Sequence, residues 1–194
     1  MAQIAAERTE TVATPIHANP APLGLSGFAV TTFLLSIVNA GIIAKTDATF
    51  LGLAVAFGGL AQLLAGMWEF RAGNTLGATA FSTFGAFWIA IAVGALTKTG
   101  GGPGSSYFDL AFAILSFVFL LGALRTSGAL IAVFLFLTLT LLALAIGGWL
   151  ASTTWIGIGG WLGIITAIIA EYTALAGILS SGKGAFQLPI FPMG

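Results

Sequence analysis

The stretch HANPAPLGLSGF, residues 17–28, crowds Asn19, Pro20 and Pro22 into the place where a long apolar run begins. A helix leaves about four N–H groups at its start without an internal partner. In hydrocarbon each such group costs several kcal/mol. With Asn19 at the N-cap, Pro20 falls at N1, Ala21 at N2 and Pro22 at N3. The prolines then remove two orphan donors, and Asn19 satisfies another through its side-chain oxygen. The stretch reads as a helix start built to lie inside a membrane. Donors left over at such a start, with their positive partial charge, are able to hold an anion; a plain helix cap is the alternative.

Composition agrees with a membrane setting. Of 194 residues, 58% are hydrophobic and only 6% charged, and the mean hydropathy is +1.08. A soluble domain carries roughly a quarter charged residues, so this chain lacks the side chains to clothe a water-facing surface. Six Lys and Arg balance six Asp and Glu, so no basic patch is available for nucleic acid. With no Cys and one His, disulfides, iron–sulfur clusters and multi-histidine metal sites within one chain are excluded. No cofactor or metal is expected.

A spanning helix needs about 20 mostly apolar residues. Six runs qualify, at about 23–44, 49–70, 75–97, 107–124, 128–149 and 155–179. Polar breaks separate them: KTDAT (45–49), EFRAGNT (69–75), TKTGGGPGSS (97–106), LRTSG (124–128) and ASTT (151–154). The runs are too long for strands and show no period-2 alternation. The expected organisation is a mobile N-terminal tail (1–18), a six-span domain (19–180) and a C-terminal tail (181–194). The acidic, non-basic start is not read as a cleaved signal, and His17 is read as a tail residue. An even number of spans puts both termini on one side, with Arg8, Arg71, Arg125 and Lys183 there against Lys45 and Lys98 opposite. The expected protein is an all-α, multi-pass integral membrane protein, a six-helix bundle with both termini cytoplasmic.

Small residues let helices approach in lipid, where no hydrophobic drive joins them. Gly58, Gly59, Ala61, Ala65 and Gly66 mark the second span; Gly159 and Gly163, continued by Ala167, Ala170 and Ala174, mark the sixth. Close packing is the plain reading, and room for a substrate path is the other. Glu69 ends the second span two residues before Arg71, either as a local pair or as a proton-sensitive carboxylate at a cytoplasmic mouth. Gln62, seven residues earlier, shares its helix face. Asn74 and Thr75 open the third span as caps that also offer donors to a carboxylate. Thr31, Thr32, Asn39, Thr79 and Thr83 are expected mostly to bond their own helix backbone, with a minority lining a path. Arg125 is expected to anchor a cytoplasmic turn. Glu171 has no assigned role.

NPAPLGLSGF resembles the signature of the acetate uptake transporter family, the succinate–acetate permeases. FGGLAQLLAGMWEFRAGNTLGATAFSTFGAFW (57–88), FLTLTLLALAIGG (136–148), GWLGIITAIIAEYTA (160–174) and a late LPI (188–190) are similar to its later segments, in order. The resemblance implies a pathway narrowed by a ring at Phe28, Phe84 and Leu137. Family members commonly carry Tyr at the position of Phe84, so this ring has lost a hydroxyl. The resemblance also places Ala170 on the lining, supports a role for Glu69, and implies a homo-hexamer with one path per protomer.

On this reading the pathway residues are Asn19, Pro20, Gln62, Glu69, Asn74, Thr75, Thr79 and Ala170 around the Phe28, Phe84 and Leu137 constriction. The expected substrate is acetate or a similar small monocarboxylate. A bare carboxylate is costly in hydrocarbon, and with a solution pKa near ~4 few neutral molecules exist at pH 7. Oriented amides and hydroxyls at the mouths, a narrow waist and few fixed charges suit this cargo, and suit succinate less well. Anion channel and proton-coupled symporter both fit. A neutral-solute channel for urea or glycerol is the alternative. An intramembrane enzyme would need paired catalytic groups that the sequence does not offer.

Overall fold

The computed structural model describes residues 18–44, 48–182 and 186–193. The described residues form six helices long and apolar enough to cross a membrane. They are α1 (Ala21–Asn39), α2 (Thr49–Ala72), α3 (Thr75–Leu96), α4 (Pro103–Ala123), α5 (Gly128–Trp149) and α6 (Thr153–Ser180). Residues 1–17 of the expected tail (1–18), including Arg8 and His17, and the charges at Lys45 and Lys183 lie outside the described residues.

The chain reverses at each turn, so α1, α3 and α5 run parallel to one another and antiparallel to α2, α4 and α6. Residues 18 and 193 lie at one end of the bundle, here the terminal end. Helix α5 is the most apolar span and half of it is buried; α4 is the least buried. α5 packs between α4 and α6, and a helix covered by other helices and lipid needs no polar face.

The helix ends differ from the sequence expectation in ways with clear causes. α1 stops at Asn39 rather than 44, because Gly41 adopts a left-handed φ of 76° and turns the chain. α4 begins inside the glycine-rich break, where Pro103 supplies the fixed φ suited to a first turn. Asn74, Ser127 and Ser152 cap α3, α5 and α6 by accepting from Gly77, Leu130 and Trp155 N–H at 3.1, 3.2 and 3.4 Å.

The glycines are used for close approach. A Cβ at Gly27 would lie 2.8 Å from the Phe57 carbonyl oxygen, joining α1 to α2. One at Gly85 would lie 2.9 Å from the Gly59 oxygen and Leu63 nitrogen, joining α3 to α2. Gly160 presses against the Asn39–Ala40 backbone and Gly163 against the Ser36 side chain, so α6 and α1 approach closely. The middle of α2, Ala54–Ala61, is π-helical. Each i→i+5 bond takes up an extra residue and rotates the rest of the helix relative to a plain α-helix. Beyond it, Gln62 and Glu69 face inward at 1% exposure each, while Leu64, Met67, Trp68 and Phe70 face outward.

The C-terminal segment is docked rather than trailing. Gly128 N–H donates to the Phe191 oxygen at 2.8 Å, Ala129 N–H to the Ile190 oxygen at 3.2 Å, and Met193 N–H to the Thr126 oxygen at 3.0 Å. Tyr172 Oη donates to the Pro189 oxygen at 2.9 Å. The segment thus satisfies the first N–H groups of α5 that Ser127 leaves open.

Candidate transport pathway

Two cavities lie in line between α1, α3 and α5. The larger, about 220 Å³, opens at the terminal end, and the smaller, about 30 Å³, lies toward the far end. Phe28, Phe84 and Leu137 line both, and no other described residue does. Each comes from one of the three parallel helices. They are 5%, 2% and 4% exposed. The Phe28 and Phe84 rings meet edge to face, with centroids 5.5 Å apart at 66°. Phe84 is held in turn by Phe87 and Phe112 at 5.9 Å each and by Phe119 at 6.3 Å. Such edge-to-face stacking adds about 0.5–1.5 kcal/mol per pair beyond burial, so the ring has a fixed position. Three apolar side chains separate two spaces that contain polar groups.

The larger cavity takes its polar lining from Gln62, Asn74, Thr126, Ser127 and Thr173. Gln62 is buried, and its Oε1 has no partner within the protein. A buried amide without a partner is costly, about 1–3 kcal/mol, so its place on a cavity wall provides access to a ligand or water. Asn74 sits at the mouth. Its Oδ1 caps α3, and its side chain also hydrogen-bonds Glu69. Glu69 lies behind this lining with its Oε1 unpartnered in the protein. Arg71 is exposed, so the buried Glu69 carboxylate takes Asn74 as its partner instead. Gly77 makes this possible: a Cβ there would lie 2.6 Å from Asn74 Nδ2 and 3.0 Å from Glu69 Cδ.

The residues expected along the path separate into two groups. Gln62 and Asn74 join Phe28, Phe84 and Leu137 on the cavity walls. Asn19, Pro20, Glu69, Thr75, Thr79 and Ala170 do not. Ala170 is fully buried in the helix core. Thr75 and Thr79 are exposed, and the Thr79 hydroxyl donates to the Thr75 carbonyl at 2.8 Å. Glu171 is exposed and faces out of the bundle.

The opening stretch behaves as a cap, one residue later than the expected register. Pro20 is the N-cap of α1, and Asn19 Oδ1 accepts from Ala21 N–H at 3.0 Å. Leu23 and Gly24 N–H both donate to the Pro20 carbonyl, at 3.1 and 3.3 Å. With Pro22 lacking an N–H, every donor of the first turn is already satisfied. No N–H remains to hold an anion there, so the start of α1 is a plain cap. Ala21 and Leu25, one turn apart, are its contribution to the cavity wall.

Sequence reasoning misses Thr126, Ser127 and Thr173 at the mouth, and Trp88 in the smaller cavity. In the break LRTSG it picks out only the anchor Arg125. The Thr-Ser pair at the start of an apolar run is the available signal.

Comparison with known proteins agrees with this fold. Residues 4–194 match the GPR1/FUN34/yaaH family. The chain is 41% identical to acetate permease A of Emericella nidulans, over 89% of this chain and 65% of the relative. It is 38% identical to ammonia transport outward protein 2 of Saccharomyces cerevisiae, over 84% of this chain and 63% of the relative. Against the succinate-acetate/proton symporter SatP of Escherichia coli K12 it is 36% identical, over 89% and 95%. The chain thus spans a little under two thirds of those two fungal relatives and nearly all of the bacterial one. The solved structure of the bacterial acetate channel SatP superposes with a TM-score of 0.85 at 35% identity, covering 90% of this chain and 99% of that one. Six apolar helices, the ordered motifs and these matches together make the chain a multi-pass membrane protein of the GPR1/FUN34/yaaH family.

Proposed function

We propose that the chain carries acetate and related small monocarboxylates across the plasma (inner) membrane, through a path inside each protomer gated by Phe28, Phe84 and Leu137. The observation that carries this reading is that, among the described residues, these three side chains alone line both cavities. A solute entering at the terminal end meets Asn74, Thr126, Ser127, Thr173 and Gln62, whose amides and hydroxyls replace water around a carboxylate. It then sheds its remaining shell to pass the ring. Among the described residues no Lys or Arg lines either cavity, so none of them traps the anion on the way. The names of acetate and succinate-acetate relatives support the cargo. The family resemblance supports a homo-hexamer. The Arg71 and Arg125 positions at the terminal end support cytoplasmic termini.

Labelled acetate uptake into liposomes tests the reading. Uptake above protein-free liposomes is the expected result; equal uptake discards it. Imposed voltage and pH gradients separate an anion channel, driven by voltage, from a proton symporter, driven by pH. A neutral-solute path is the second reading, favoured by the yeast relative named for ammonia transport. Methylammonia or urea flux exceeding acetate flux in the same vesicles would select it.

A further inference from the structure

We propose that the C-terminal segment, residues 186–193, is a clasp that positions the Ser127 hydroxyl at the cavity mouth and so sets how tightly a solute is taken in from the terminal end. The inference rests on the transport reading and adds to it a positioning element that lies outside the pathway.

The segment joins two helices at the mouth. Ser127 and Pro192 form an antiparallel bridge. The bonds on either side of it, Gly128 N–H to the Phe191 oxygen at 2.8 Å and Met193 N–H to the Thr126 oxygen at 3.0 Å, clamp the backbone before and after Ser127. On α6, Tyr172 Oη donates to the Pro189 oxygen at 2.9 Å, and the next residue, Thr173, is on the cavity wall. Among the described residues, Thr126, Ser127 and Thr173 are three of the five polar side chains that line the larger cavity. The segment grips the chain at or beside each of them, and lines neither cavity itself.

Ser127 is the residue this grip fixes most closely. It is buried, with extended φ and ψ of −147° and 151°. Its Oγ accepts Leu130 N–H at 3.2 Å, which leaves its O–H to donate into the cavity. That hydroxyl turns with the backbone that carries it, and the clasp removes the freedom of the α4–α5 turn to rotate. Phe191 shows how firmly the segment is held. It keeps a left-handed φ of 55°, a conformation that a bulky residue adopts only where its surroundings impose it. Its side chain is 67% exposed, so the backbone bonds impose it rather than packing of the ring. A solute meets the mouth before it meets Phe28, Phe84 and Leu137. A donor at the mouth stabilises the solute ahead of the crossing and not at the narrowest point. Its loss therefore raises the half-saturation concentration and leaves the maximal rate.

The test measures labelled acetate uptake into liposomes against acetate concentration, with the full-length chain. Tyr172→Phe removes the bond to Pro189, and Met193→Pro removes the N–H that reaches Thr126. Together they raise the half-saturation concentration about two- to tenfold, the worth of one hydrogen bond, with the maximal rate per folded protein unchanged. Tyr172→Phe alone, the mildest change, gives the lower end of that range. Ser127→Ala gives a similar rise, and the two clasp changes add nothing to it, because they act through the same hydroxyl. Phe186→Ala, exposed on the same segment, keeps wild-type values. A wild-type half-saturation concentration in the clasp variants overturns the proposal while wild-type uptake stands. So does an equal further rise in the Ser127→Ala background, or a loss of maximal rate alone. Absence of wild-type uptake in the same vesicles would instead remove the transport reading.

Discussion

Leu137→Ala is the most informative single change, because opposite effects on stability and rate are expected from one side chain. Leu137 is 4% exposed and stands between the two cavities. Truncation removes three carbons. At about 0.8 kcal/mol per buried methylene the transfer loss is about 2.4 kcal/mol. Sealed cores add a further cavity cost, but here spaces of about 220 and 30 Å³ already flank the site, so the added void is not newly sealed. Destabilisation should therefore be about 2 kcal/mol. The rate should rise. A wider ring lets a crossing carboxylate keep about one more hydrogen bond to water, worth about 1 kcal/mol net, or about fivefold in rate. The assay is initial labelled-acetate uptake per mole of protein in liposomes, with thermal unfolding measured on the same preparation. Uptake that is unchanged or slower in folded Leu137→Ala would refute the placement of Leu137 at the narrowest point.

Other changes probe separate parts of the account. Phe84→Tyr puts a hydroxyl donor into the ring and should lower the KM for acetate about two- to tenfold, the worth of one hydrogen bond, as read in a concentration series of uptake. Glu69→Gln should flatten the pH dependence of uptake if the buried carboxylate beside Asn74 handles the coupled proton; an unchanged profile removes Glu69 from that role. Gly160→Ala should destabilise by about 1–3 kcal/mol, because the Asn39–Ala40 backbone it meets cannot move aside. Gly157→Ala, with nothing within 4 Å, should be neutral or stabilising in the same thermal measurement.

The six spans are legible in the sequence because a bilayer leaves the chain so few options: about 20 apolar residues per crossing, polar breaks between them. The glycine pattern is legible for a similar reason, since small residues at helical spacing have little other use in lipid. Finer features are set by single residues or by tertiary context. Gly41 ends α1 early through a positive φ, and the π-helical turn at Ala54–Ala61 carries no sequence signature, although it turns Gln62 and Glu69 inward. Helical periodicity also cannot say which polar face points inward when nearly every face is apolar. Thr75 and Thr79 therefore resemble path residues in the sequence and are exposed, while Trp88, which the sequence reading leaves without a role, is buried. Phe28, Phe84 and Leu137 are reached through family resemblance. Residue chemistry alone would leave all three as ordinary core.

Filling the ring tests the central claim most directly. Phe28→Trp and Leu137→Trp, compared with Leu64→Trp on the exposed face of α2, should be measured side by side for acetate uptake at equal amounts of folded protein. The account predicts that the two ring variants lose uptake and the outer-face variant keeps it. Ring variants that still carry acetate at the wild-type rate would contradict it.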